Sequence, residues 1–113
     1  MGRFLIAAAI SCGMAAVATT AYADDAQVQR GMALYKTQKC NQCHIVAGEG
    51  KRYELDGVGA KLSEAEIREW LTHPKEAAAK AKSTKKPVMK DYSKLPAADI
   101  DALVAYMKTL TKK

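Results

Sequence analysis

Three stretches of the chain repeat apolar side chains at helical spacing, and none alternates apolar and polar residues in the manner of a half-buried strand. The first predicted helix covers residues 26–38 and follows Asp24 and Asp25, whose negative charge suits the positive end of the helix dipole. A glycine inside a helix costs up to about 1 kcal/mol relative to alanine, so we expect another backbone to pass close to Gly31; an incidental glycine is the alternative. The apolar face comprises Val28, Gly31, Met32 and Tyr35.

The second predicted helix has the most clearly marked start. Ser63 and Glu66 have the spacing of a capping box, with Leu62 and Ile67 placed as its hydrophobic staple. Pro74 ends this helix or breaks it, because proline lacks the backbone N–H that continues a helix. The inner face is predicted to comprise Ile67, Trp70 and Leu71, with Trp70 in the core.

The third long helix is predicted over residues 97–110, and a short helix is predicted within residues 75–86. Pro96 stands where a Ser or Thr cap is preferred, so the start of the third helix is less sharply specified. Residues 45–60 contain four glycines among charged residues and indicate a loop made of turns, or one that wraps the edge of a flat cofactor. The apolar stripe of the third helix comprises Ile100, Leu103, Val104, Met107 and Leu110.

The amino terminus has the layout of a secretory signal peptide. Arg3 precedes a short apolar run, and Ala21-Tyr22-Ala23 is an A-x-A cleavage site. We therefore expect residues 1–23 to be removed, which leaves a single domain over residues 24–113 in the periplasm with no integral membrane span. A lipid anchor at Cys12 is the weaker alternative. Export places the two remaining cysteines in an oxidising compartment.

Those two cysteines belong to the motif Cys40-Asn41-Gln42-Cys43-His44, and C-x-x-C-H is the attachment signature of c-type haem. Thiols three residues apart fall on one face of a helical turn, where each can form a thioether with one vinyl group of the same porphyrin. The histidine that follows is then carried under the ring, where its imidazole can bind the iron. The sequence therefore predicts one haem c, bound through Cys40 and Cys43 and ligated by His44.

Three other uses of the two cysteines are alternatives to haem attachment. A zinc site needs about four nitrogen or sulfur ligands, and the chain has no second cysteine pair. A thioredoxin-like dithiol requires a βαβ context, for which no strand pattern is present. A plain structural disulfide leaves His44 unexplained.

The sixth iron ligand has four candidates, namely His73 and methionines 32, 89 and 107. Met32 and Met107 fall within helical apolar stripes, where a methionine usually serves the core, and His73 stands at a helix end before a proline. Met89 instead lies in a polar loop between two helices, stiffened by Pro87, and is the predicted ligand. A neutral thioether raises the reduction potential, and a site closed by two ligands suits electron transfer and not catalysis.

The charge of the chain bears on its partners. Residues 24–113 carry 17 Lys and Arg against 12 Asp and Glu, a net charge of +5. The sequence lacks the interleaved basic and aromatic residues that are typical of nucleic-acid binding. A basic surface can instead steer association with acidic proteins. We expect a monomer that docks to unidentified redox proteins through lysines near residues 80–94.

The order of these features resembles that of the class I monohaem cytochromes c, over essentially all of residues 24–113. The resemblance implies an all-α small cytochrome c fold, in which the N- and C-terminal helices cross near Gly31 and Tyr106 and other helices and loops surround one covalent haem. It implies a non-enzymatic one-electron carrier with His44 and Met89 as axial ligands; a five-coordinate sensor or peroxidase-like protein is the alternative if Met89 does not bind.

Two departures from that family concern the haem surroundings. The family often has Gly-Pro-x-Leu where this chain has Gly59-Ala60-Lys61-Leu62, so the carbonyl of Ala60 is expected to accept the N–H of the iron-bound imidazole, a bond that tunes ligand basicity. Lys90 replaces a proline that commonly follows the ligand methionine. Besides its predicted place in the core, Trp70 has a second possible role as a donor to a haem propionate.

Overall fold

The computed structural model describes residues 24–112 and the isolated Gly13. Apart from Gly13, the predicted signal peptide lies outside the described residues, and so do Cys12 and the expected cleavage site after Ala23. Within the described part of the chain, no helix is both long enough and apolar enough to cross a membrane.

Helices dominate the described chain, which confirms the predicted all-α class. They are α1 (Asp25–Thr37), α2 (Val58–Lys61), α3 (Glu64–Thr72), α4 (Pro74–Lys80) and α5 (Ala97–Thr109), and a 3-10 turn spans Cys40–Gln42. Three short strands, β1 (His44–Val46), β2 (Glu49–Gly50) and β3 (Tyr53–Glu54), lie between them.

The terminal helices α1 and α5 cross at Gly31, as the sequence predicts. A Cβ atom on Gly31 would lie 2.1 Å from the carbonyl oxygen of Ala102 and 2.7 Å from the Cβ of Tyr106. The rings of Tyr35 and Tyr106 meet edge to face beside this contact, with 5.7 Å between their centroids. Arg30 of α1 donates its Nε to a carboxylate oxygen of Asp99 in α5 at 2.9 Å. The missing side chain of Gly31 is therefore what lets the two backbones touch.

The small sheet was not predicted, since residues 45–60 were expected to be loop. Its order is β2-β1-β3, with β2 antiparallel and β3 parallel to β1. Ile45 pairs with Gly50, and His44 pairs with Tyr53. Strands of two or three residues are too short to produce an alternating pattern, so pattern analysis could not find them.

Helix α3 begins as its capping box predicts. Ser63 accepts the backbone N–H of Glu66 with its hydroxyl at 3.1 Å, and Glu66 accepts the N–H of Ser63 with its carboxylate at 3.1 Å. The helix ends at Thr72, and Pro74 opens α4, where the missing N–H costs nothing because first-turn donors have no helical partner. Pro74 thus breaks the chain into two helices instead of ending helical structure.

The core lies between α1, α3 and α5. Ile67 and Leu71 of α3 are buried as predicted, but Trp70 is only half-buried and is not among the side chains that form or pack against the core, so its predicted core role is wrong. Its position on α3 places its side chain at the edge of the helix face that packs against the core. The core cluster comprises Tyr35, Ile67, Leu71, Tyr92, Ile100, Leu103, Val104, Tyr106 and Met107.

We predict that Gly31→Ala destabilises the protein by about 1–3 kcal/mol, the usual cost of overpacking. Helix propensity alone predicts the opposite, a gain of roughly 1 kcal/mol. Denaturant unfolding of the haem-containing protein measures the difference. The matched control is Ala33→Gly at an exposed position of α1. Helix propensity predicts that this control lowers the free energy of unfolding by about as much as it predicts Gly31→Ala to raise it. Equal or higher stability of Gly31→Ala would contradict the close crossing.

Candidate functional site

The end of α1 places the two motif cysteines on one turn. The backbone N–H of Gln38 closes α1 on the carbonyl of Leu34 at 2.8 Å, and Lys39 adopts a left-handed conformation with φ of 56° that redirects the chain. The N–H of Cys43 then bonds the carbonyl of Cys40 at 3.1 Å. Both thiols are free and half-buried, so both are available to form bonds.

The backbone of His44 is held by several neighbours. Its carbonyl accepts the hydroxyl of Tyr35 at 3.3 Å, and its residue pairs with Tyr53 of β3. A Cβ on Gly50, whose φ is 118°, would lie 2.0 Å from that same carbonyl oxygen, so only glycine lets β2 come this close. The motif is therefore fixed between α1 and the sheet.

The imidazole of His44 has the state expected of a ligand to iron. Burial lowers its pKa, a backbone interaction with Tyr53 partly opposes this shift, and the positive charge of Lys85 adds to the lowering. Neutral imidazole is the form that binds metals. Its Nδ1 is buried and has no hydrogen-bond partner among the described residues.

The expected hydrogen bond from His44 to the carbonyl of Ala60 is not formed. The turn that contains Ala60 is held against α5, where the N–H of Gly59 donates to the carbonyl of Leu110 at 2.8 Å. The ammonium of Lys108 also donates to the carbonyls of Gly59 at 2.7 Å and Leu62 at 3.1 Å. These contacts direct the turn toward α5 and leave Nδ1 of His44 unpaired.

The chain between α4 and α5 is attached to the motif region at both ends of the stretch that contains Met89. Before Met89, the carbonyl of Lys86 accepts the hydroxyl of Tyr53 at 3.2 Å. After it, Tyr92 is buried in the core, and its backbone N–H donates to the carbonyl of Leu71 at 2.8 Å. Burial raises the pKa of Tyr92 to about 12, and the adjacent Cys40 thiol adds to that shift.

The four candidates for the sixth ligand occupy different environments. Met107 is buried within α5, and Met32 packs against the core from α1. His73 is exposed, with its Nδ1 2.9 Å from the hydroxyl of Thr72. Met89 is half-buried, although it lies outside any helix or strand, and it packs against the same core cluster as Cys40. Of the four, Met89 alone combines a position outside helices and strands with packing against the core cluster.

These residues fit a haem. Several apolar side chains pack against the core but are only partly buried, as suits an apolar ring that would cover them. Two free, half-buried thiols, an imidazole with a buried Nδ1 and a lowered pKa, and a partly buried thioether supply the expected attachment points and ligands. These apolar side chains are Val28, Met32, Leu34, Val46, Leu55, Val58, Leu62, Leu95 and Leu110.

Sequence reasoning did not find the tyrosines of this region. Tyr35 donates to His44, Tyr53 donates to Lys86, and Tyr92 lies beside Cys40. A lone aromatic residue in the polar stretch after Met89 is a signal that could have identified Tyr92. Tyr53 carried no such signal, because its role depends on a sheet that the pattern did not show.

The family model for cytochrome c matches residues 28–111, which is nearly all of the described chain. No curated protein and no solved structure matches the chain. The matched stretch contains the crossing point of α1 and α5, the C-x-x-C-H turn and residues 84–91, which we call the Met89 segment. The chain therefore belongs to the cytochrome c family, whose members bind haem covalently and use it to transfer electrons.

Proposed function

We propose that the protein is a one-electron carrier with one haem c attached through Cys40 and Cys43 and with His44 and Met89 as axial ligands. The observation that carries this proposal is the attachment of the Met89 segment on both sides of the methionine. Tyr53, which pairs with His44, bonds one side of the segment, and Tyr92, beside Cys40, anchors the other. That arrangement favours a thioether directed toward the motif.

The chemistry supplied by the bound haem is reversible transfer of one electron at its iron. A thioether ligand is neutral and soft, so it stabilises the reduced iron and raises the reduction potential relative to two imidazoles. Two protein ligands also leave no open coordination position for a substrate. The proposed function is therefore that of a carrier and not of an enzyme.

We predict that Met89→Leu, which removes the sulfur and nearly preserves volume, converts the ferric haem from low to high spin. The weak far-red sulfur-to-iron band should disappear and the reduction potential should fall, because the thioether no longer stabilises reduced iron. Absorption spectroscopy and redox titration measure these changes. Met32→Leu is the matched control and should leave the spectrum and the potential unchanged.

Two outcomes would contradict this assignment. A Met89→Leu protein that keeps its low-spin spectrum excludes Met89, and loss of that spectrum in His73→Ala would move the ligand to His73. A wild-type ferric protein that is high-spin and readily binds carbon monoxide when reduced would instead indicate a five-coordinate haem, suited to sensing or peroxidase-like chemistry.

We propose that redox partners dock around the Met89 segment, because the positive charge of the protein is concentrated in and beside it. Residues 75–94 carry seven lysines and two acidic residues, a net charge of +5, which equals the net charge of residues 24–113 as a whole. All seven lysines are exposed. Such a local concentration of positive charge favours weak, reversible and oriented association with acidic proteins.

We further propose that the signal peptide exports the protein and that the protein functions in the periplasm as a monomer. Residues 1–23 have the signal layout, and cleavage after Ala23 leaves Cys40 and Cys43 as the only cysteines. Removal of Cys12 thus leaves both thiols of the exported chain to haem. The mass of the purified protein tests this processing.

We predict that Lys82→Gln with Lys94→Gln slows electron transfer to an acidic redox protein and flattens its dependence on salt. The Debye length shortens from about 30 Å at 0.01 M to about 8 Å at 0.15 M ionic strength, so the variant should differ most from wild type at low salt. Stopped-flow kinetics over this range measure both effects. The matched control is Lys36→Gln with Lys61→Gln, an equal charge change outside residues 75–94. Equal slowing by both pairs would show that only net charge matters.

A further inference from the structure

Tyr53 touches both the haem-attachment motif and the segment that carries Met89. Its backbone N–H donates to the carbonyl of Cys43 at 3.1 Å, and its residue pairs with His44 in the sheet. Its hydroxyl donates to the carbonyl of Lys86 at 3.2 Å. The ammonium of Lys85 lies over the face of the same ring, 4.7 Å from its centroid. One residue thus joins the two parts of the chain that supply the axial ligands.

The Met89 segment has few other attachments. Among the described residues, the Tyr53–Lys86 hydrogen bond is the only one that joins residues 84–91 to a residue more than two positions away. Residues 84–91 form no helix or strand, and most of them are exposed. A segment with few buried contacts opens at low free-energy cost. A single hydrogen bond, together with an ammonium over the ring face, therefore has a large effect on the fraction of molecules in which the segment is detached.

We propose that Tyr53 is the positioning residue for Met89, acting as a latch that holds residues 85–89 against the motif and keeps the sixth coordination position closed. This inference rests on the proposed ligation by Met89. The backbone of Tyr53 is tied to the motif by the sheet, and its side chain holds the loop. The hydroxyl fixes the chain at Lys86 through a directional bond, while the ring face attracts Lys85.

The latch makes a prediction about the open state. An external ligand such as imidazole can bind the ferric iron only when Met89 has left it, so its apparent affinity is reduced by the small fraction of open molecules. Removal of the Tyr53 hydroxyl should raise that fraction and the apparent imidazole affinity by roughly 2- to 10-fold, the range expected for one net hydrogen bond.

The experiment compares wild type, Tyr53→Phe and Tyr106→Phe as ferric holoproteins. Imidazole titration followed at the far-red band gives the affinity, and denaturant unfolding gives global stability. Tyr106→Phe is the matched control, since it removes the hydroxyl of a buried tyrosine at the α1–α5 crossing and leaves the Met89 segment unchanged. Only Tyr53→Phe should bind imidazole more tightly. Lys85→Gln should shift the affinity in the same direction, whereas Lys82→Gln, which removes an equal charge just outside residues 84–91, should not.

The wild-type spectrum separates the two ways of failing. A low-spin protein with the far-red band, in which Tyr53→Phe and Tyr106→Phe bind imidazole like wild type, would overturn the latch and leave the proposed function intact. An affinity gain that appears equally in both variants would also overturn it, because general loosening would then explain the effect. A wild-type protein without the far-red band would overturn both the ligation by Met89 and the latch built on it.

Discussion

The contact of two backbones at Gly31 is the constraint on which the rest of the structure depends. Because α1 lies against α5 with no side chain between them, the end of α1 at Thr37 is fixed relative to the core. The left-handed turn at Lys39 then delivers Cys40, Cys43 and the His44 backbone to one place. A shift of α1 by even a methyl group's width would move the whole attachment motif.

The protein alone covers its core incompletely. A domain of about 90 residues buries only about 60–65% of its unfolded surface, and here a set of apolar side chains that pack against the core is only partly buried. Each Å² of apolar surface that a bound ring covers contributes roughly 25 cal/mol. Haem in this family is thus part of the core as well as the redox centre, and the same bound ring links folding with function.

Much of the fold and part of the site follow from local sequence signals. The structure confirms the helix predicted over residues 26–38, the capping box at Ser63 and the close approach at Gly31. Each of these features is determined by residues adjacent in sequence or by one missing side chain. The sheet, the edge position of Trp70 and the unpaired Nδ1 of His44 depend on tertiary contacts, among them the hold of Lys108 on Gly59. Such contacts join residues far apart in sequence, so no local pattern records them.

The most direct test of the account is the mass of the exported protein, purified under denaturing conditions from a host able to attach haem. The account predicts the mass of residues 24–113 plus one haem, and the bare polypeptide mass when Cys40 and Cys43 are both replaced by alanine. Cys12→Ser should leave the wild-type mass unchanged, because residue 12 is removed with the signal peptide. A wild-type protein with the mass of the bare polypeptide would contradict the central claim that haem is bonded to these two sulfurs.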